Sequence, residues 1–86
     1  MDMEMFFDVS LRLPAADRTY TLRIPAGLNT HVAALLAAQA LEPLSDGAFR
    51  AAKSCLLAWQ GSGRILEGQK TIRQNGVRNG SKLLLI

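Results

Sequence analysis

An 86-residue chain with 49% hydrophobic residues and a net charge of +3 is long enough for one small domain with a single layer of core, and too apolar for a disordered tail. Its one cysteine excludes an internal disulfide and a multi-cysteine zinc centre, which suits a reducing compartment. The ten basic residues are dispersed from Arg12 to Lys82, the pattern of a solvated face and not of a nucleic-acid footprint.

Met5 to Leu13 alternates, with Phe7, Val9, Leu11 and Leu13 on one face and Phe6, Asp8, Ser10 and Arg12 on the other. Period-two alternation predicts a half-buried strand. Pro14 to Arg18 supplies a reversal, and Thr19 to Ile24 resumes the alternation with Tyr20, Leu22 and Ile24 inward, completing a hairpin. Pro25, Ala26 and Gly27 end it. Asn29 or Thr30 can cap the next segment. His31 to Leu41 has neither Gly nor Pro and is rich in good helix formers. Val32, Leu35, Leu36, Gln39 and Ala40 fall at the spacing of a core-facing stripe, and Pro43 closes the helix.

Leu44 to Lys53 reads as a short helix capped by Ser45 or Asp46, the alternative being a loop anchored by Phe49. Ser54 to Gln60 predicts a strand with Cys55, Leu57 and Trp59 on one face and Leu56 and Ala58 on the other. Gly61-Ser62-Gly63 is a hairpin tip, followed by a short return strand at Arg64–Leu66. The last stretch carries an acidic-glycine turn (Glu67-Gly68), a Thr-led half-turn (Thr71-Ile72) and two Asn-Gly steps, Asn75-Gly76 and Asn79-Gly80. Asn and Gly reach positive φ at low cost, so the two steps mark two reversals around Val77. Ile72 and Val77 are expected to plug the core beneath a buried strand, Lys82–Ile86.

The residues that carry chemistry in other proteins are isolated here. His31 has no partner of defined geometry and reads as a solvent-facing helix residue. Cys55 reads as a small buried hydrophobe, since a reactive thiol needs an electropositive, accessible site. Trp59 is open to two readings, a binding anchor or a rim-of-core residue. Gly61–Arg64 lacks the spacing of a phosphate-cradling loop. The seven carboxylates are scattered over turns and ends. The chain is therefore expected to be no enzyme and to hold neither metal nor cofactor.

The ending resembles the C-terminal half of ubiquitin-like β-grasp domains. There a short strand with an L-E-x-G-like turn leads to a T-[LI] half-turn, a buried Ile or Val, a polar turn and a final strand inside the sheet. Within that superfamily it resembles the YukD/EsaB-type ubiquitin-like proteins of bacterial type VII secretion, which carry the same G-[IV]-x-N-G-x-x-L ending (here Gly76 to Leu83). The resemblance implies an α+β fold over residues 1–86 as one domain: a mixed four- to five-stranded sheet with one main helix packed on one face. Its first and last strands would lie parallel in the middle, joined through a long crossover. A non-catalytic accessory or regulatory role in such a secretion system follows, with a membrane subunit or its ATPase as partner.

In that sheet Phe6, Leu56, Ala58, Leu84 and Ile86 would form one apolar patch on the open face, rimmed by Arg12, Arg23 and Lys82. Such a patch marks a protein-binding surface, or alternatively a contact between copies of the chain. Ubiquitin-like modifiers and sulfur carriers end in a flexible Gly-Gly, whereas this sequence stops at Leu84-Leu85-Ile86, so conjugation and sulfur transfer are not expected. The start, MDMEMFFD, is acidic where a secretory leader is basic, and no apolar stretch approaches the roughly 20 residues of a membrane span. The expectation is a cytoplasmic protein that neither enters the membrane nor binds nucleic acid, and that reaches the inner face of the cell membrane only through a partner.

Overall fold

The computed structural model describes residues 5–51 and 55–86. The alternating N-terminal segments form an antiparallel hairpin of β1 (Phe6–Leu13) and β2 (Arg18–Pro25), in register from Phe6 opposite Pro25 to Leu13 opposite Arg18. Between them Pro14–Ala16 makes one 3-10 turn, for which proline's fixed φ is suited. Asp17 follows in the left-handed region at φ 52°, a conformation its short polar side chain tolerates. Its carboxylate bonds back to the Arg12 guanidinium.

The helix α1 (Thr30–Leu41) is capped by Asn29, whose Oδ1 accepts from the N–H groups of His31 at 2.9 Å and Val32 at 3.3 Å. Its rotation differs from the one that the leucine spacing predicts. Ala33, Ala34, Ala37, Ala38 and Leu41 face the core, whereas Val32 is 40% and Leu36 52% exposed. Gln39 and Ala40 are exposed too, and Leu35 is half-buried. The reason is volume. Leu11, Leu13, Leu57, Leu83 and Leu85 from the sheet, with Ile72 and Val77 from the loop before β4, are all fully buried. They fill the space under the helix, and a close-packed interior then admits only methyl-sized side chains along its middle turns, with Leu41 entering the core at its end. The start of the helix is also pinned: the Thr30 N–H donates to Lys70 and the His31 N–H to Gly68.

After α1 a 3-10 turn (Glu42–Ser45) replaces the short helix expected at 44–53. Ser45 Oγ donates to the Glu42 carbonyl at 2.8 Å and accepts from the Phe49 N–H at 3.1 Å, and Asp46 and Gly47 both take positive φ. The loop form anchored by a buried Phe49 is what residues 46–51 adopt. Residues 52–54, the end of that expected helix and the start of the expected strand, lie outside the described residues.

The remaining strands are β3 (Leu57–Trp59) and β4 (Lys82–Leu85). The sheet order is β2-β1-β4-β3, with β4 parallel to β1 and antiparallel to β3. The terminal apolar run therefore lies inside the sheet, as its lack of polar residues at 83–86 predicts. The expected return strand at Arg64–Leu66 is reduced to an isolated bridge between Ile65 and Ala58.

The loop from Glu67 to Ser81 is tied to the start of α1 and the residues before it, the Ile72 N–H donating to Leu28 and the Arg73 N–H to Ala26, with Ile72 and Val77 as its buried plugs. Positive φ falls on Gly76 (91°) and Gly80 (85°), while Asn75 and Asn79 keep ordinary backbone conformations. The asparagines bond with their side chains instead. Asn75 Nδ2 donates to Thr30 Oγ1 and to the Glu67 and Thr71 carbonyls, and its Oδ1 accepts from the Glu67 N–H. Asn79 Oδ1 accepts from the Asp8 N–H at 2.8 Å.

Candidate functional site

Along β4 the period of two sends Leu83 and Leu85 into the core and turns Leu84 to the helix-free face. The register then builds a row across the sheet. Leu84 lies opposite Arg12 on β1 and Ala58 on β3, and Ala58 is bridged on its far side to Ile65. One step along, Leu56 and Ile86 exchange both backbone hydrogen bonds, at 2.7 and 2.9 Å, so the last residue is held in place. Leu56 (40%), Ile65 (51%) and Ile86 (50%) are exposed and Leu84 is half-buried. Together they form an apolar cluster about Ala58.

Three features of the expected patch need correction. Ala58 has no exposed surface: its methyl group is too short to emerge between Leu84 and Ile65, so it is a floor and not a contact residue. Phe6 is exposed, but it stands six positions along β1 from Arg12, the residue opposite Leu84. At about 3.3 Å per residue that is roughly 20 Å away. The rows between are polar, with Ser10 opposite Lys82 and Asp8 opposite Arg23. The Arg23 Nε bonds Asp8 Oδ1 at 3.0 Å, and that hydrogen bond and charge raise its pKa. Arg23 thus belongs to the intervening polar band, and the rim of the cluster is Arg12 and Lys82.

Ile65 is the member that sequence reasoning missed. The signal was present: Leu66 is buried, so in a return strand its neighbour must face the other way.

The isolated chemistry-bearing residues stay apart. Cys55 is buried and unpaired with any other cysteine. Trp59 packs half-buried against the core, on the face opposite the cluster, and its N–H and carbonyl hold the Gly61–Gly63 tip through Arg64 and Gly63. His31 is exposed at the first turn of α1. Among the described residues no three of His, Cys, Asp and Glu gather in a metal-holding group, and no helix is long and apolar enough to cross a membrane.

The arrangement of a hairpin, a crossover helix on one face and a last strand parallel to the first has many solved counterparts. The UBL domain of Plasmodium falciparum Dsk2 superposes with a TM-score of 0.70 at 16% identity, over 94% of this chain and 96% of that one. The fold is the ubiquitin-like β-grasp. The same ubiquitin-like frame is found in the ubiquitin-like domain of the Mycobacterium tuberculosis type VII secretion system protein EccD1 (TM-score 0.64, 19% identity, 95% of this chain and 98% of that one). It recurs in the EccD5 ubiquitin-like domain from Mycobacterium xenopi (TM-score 0.69, 15% identity, 95% and 93%). No protein-family model matches the sequence, and no curated protein does. At such identities the likeness is one of backbone.

Proposed function

We infer that this chain is a non-catalytic, ubiquitin-like protein-interaction module and an accessory component of a type VII secretion system, of the YukD/EsaB kind. The observation that carries the interaction role is the cluster of exposed Leu56, Ile65 and Ile86 around half-buried Leu84, parted from Phe6 on the same sheet face by polar rows. Apolar side chains left to water on a strand with covered alternatives are the mark of a surface that a protein partner desolvates. The secretion assignment is supported by the Gly76–Leu83 ending and by the two type VII secretion domains among the structural neighbours. The partner is then a membrane subunit of the apparatus or its ATPase, met from the cytoplasmic side.

The experiment is capture of those two components by the purified chain. Leu84→Arg is expected to leave the thermal midpoint nearly unchanged, because the side chain leans out of the open face, and to abolish capture. Capture at the wild-type level would remove the cluster from the interface. Failure of the wild-type chain to capture either component would remove the secretion assignment.

A further inference from the structure

At the end of the sheet where β1 begins and β2 stops, two apolar side chains are left to water: Met5 is 49% and Phe6 43% exposed. The period of two splays them to opposite sides. Met5 shares its side with Phe7, which packs against the core, whereas Phe6 turns to the open face. Phe6 lies opposite Pro25, so the last row of the hairpin carries no charge.

Beside Met5 lies a cleft of about 480 Å³ lined chiefly by Met5, Phe7, Val77 and Asn79, with Arg73 and Arg78. Both arginines are held at this end through the backbone. The Arg73 N–H donates to Ala26 at 2.9 Å, and the Gly80 N–H donates to Asp8 at 2.8 Å, which ties the segment after Arg78 to β1. Both are exposed, and among the described residues neither has an ion pair. The described carboxylates are committed elsewhere. Asp8, Asp17, Asp46 and Glu67 pair with Arg23, Arg12, Arg18 and Lys70, and Glu42 accepts from the Ala51 N–H. Asp2 and Glu4 lie outside the described residues.

We propose that this end of the molecule docks on an anionic phospholipid surface, Met5 and Phe6 entering the boundary between headgroups and acyl chains while Arg73 and Arg78 meet lipid phosphates. Shape selects a membrane over a folded partner. Side chains on opposite faces of a strand end are not both covered by one rigid surface, whereas a fluid one closes around the tip. Charge selects an anionic membrane, since a planar guanidinium matches phosphate geometry and these two have no carboxylate in their cleft. Arg23 stands roughly 7 Å behind Pro25 along β2, but its pair with Asp8 cancels its charge. The attraction therefore rests on two arginines, each contributing about fivefold in affinity near an anionic surface, and the contact is reversible. Phe6 is roughly 20 Å from Leu84, so the apolar cluster about Ala58 stays open while this end touches lipid. The proposal stands whether or not that cluster binds a partner.

The test is sedimentation of the full chain with vesicles of equal parts phosphatidylcholine and phosphatidylglycerol, against vesicles of phosphatidylcholine alone. Saturable binding is expected to the mixed vesicles only, falling as salt is raised. Arg73→Gln and Arg78→Gln are each expected to weaken it about fivefold and to flatten its salt dependence. Phe6→Ser is expected to weaken it with the salt dependence unchanged; Met5→Ser takes its place should that variant melt early. The proposal is overturned if the mixed vesicles are bound no better than the neutral ones, or if the arginine variants bind as the wild type does. It is overturned also if soluble glycerol phosphate, or a soluble peptide of glutamate and phenylalanine, binds Arg73 and Arg78 more tightly than the vesicles do, which would give the cleft to a free phosphate or a protein. Binding that begins only when residues 1–4 are deleted would give the cleft to the chain's own acidic start, and overturns it as well.

Discussion

Asn75 shows how much a single side chain can hold at the residue scale. Its amide spans the start of α1, the turn at Glu67 and the half-turn at Thr71 through four hydrogen bonds, and one of its partners, Thr30, is buried. Truncation leaves those partners without replacements, at a net cost of about 0.5–1.5 kcal/mol per bond. Asn75→Ala is therefore expected to lower stability by about 2–6 kcal/mol in urea unfolding. Asn75→Asp keeps the acceptor facing Glu67 and loses the donors, so it should be destabilising as well; equal stability of the wild type and both variants would show that the network contributes nothing. Both Asn-Gly steps are reversals, as their spacing predicts, but Asn and Gly do not share one role in them. The structure divides the labour: the glycines take the left-handed backbone and the asparagines bridge distant segments. Sequence spacing reveals a turn because the φ requirement is local, whereas the partners of Asn75 lie as far away as Thr30.

At the scale of elements, β4 and α1 make opposite cases. The parity of β4 was legible because a strand offers two faces only, and Leu83 and Leu85 had to share one. Leu85→Ala is expected to cost about 2–5 kcal/mol, as deletion of a fully buried leucine does, against the near-neutral melting expected of Leu84→Arg; similar loss of stability in both would reverse the parity. For α1 the spacing of Val32, Leu35, Leu36 and Ala40 was a good stripe, and the wrong one. A run with apolar residues all round has no single favoured face, so the rotation was set by what the sheet left room for. Ala38→Leu, at a site with no exposed surface, is expected to cost about 1–3 kcal/mol through overpacking, whereas Leu36→Glu should change stability by no more than about 0.5 kcal/mol. The reverse order in a thermal or denaturant series would restore the leucine face to the core. The same rotation opens a cleft of about 220 Å³ between Leu36 and Leu22 of β2.

At the scale of the whole molecule the decisive contact is parallel pairing between residues 10–12 and 82–84. It joins nearly the two ends of the chain, and the buried side chains of both strands belong to one cluster with α1 and the loop plugs. Such a core is expected to unfold as a unit: circular dichroism and Trp59 fluorescence should give coincident urea transitions. Refolding should take milliseconds to seconds, since the closure of a long loop precedes its reward. Non-coincident transitions would mean that the helix stands independently of the sheet. Hairpin, helix, hairpin tip and apolar last strand were all written in local patterns, because strand period, caps and breakers act over a few residues; with the resemblance of the ending, they sufficed for the order and parity of the strands. The register that parts Phe6 from Leu84, the methyl floor at Ala58, the arrival of Ile65 and the rotation of α1 were decided only when the segments met. Each depends on how far one strand slides past another or on how much volume a neighbour leaves, and those are properties of packed pairs that neither segment carries alone.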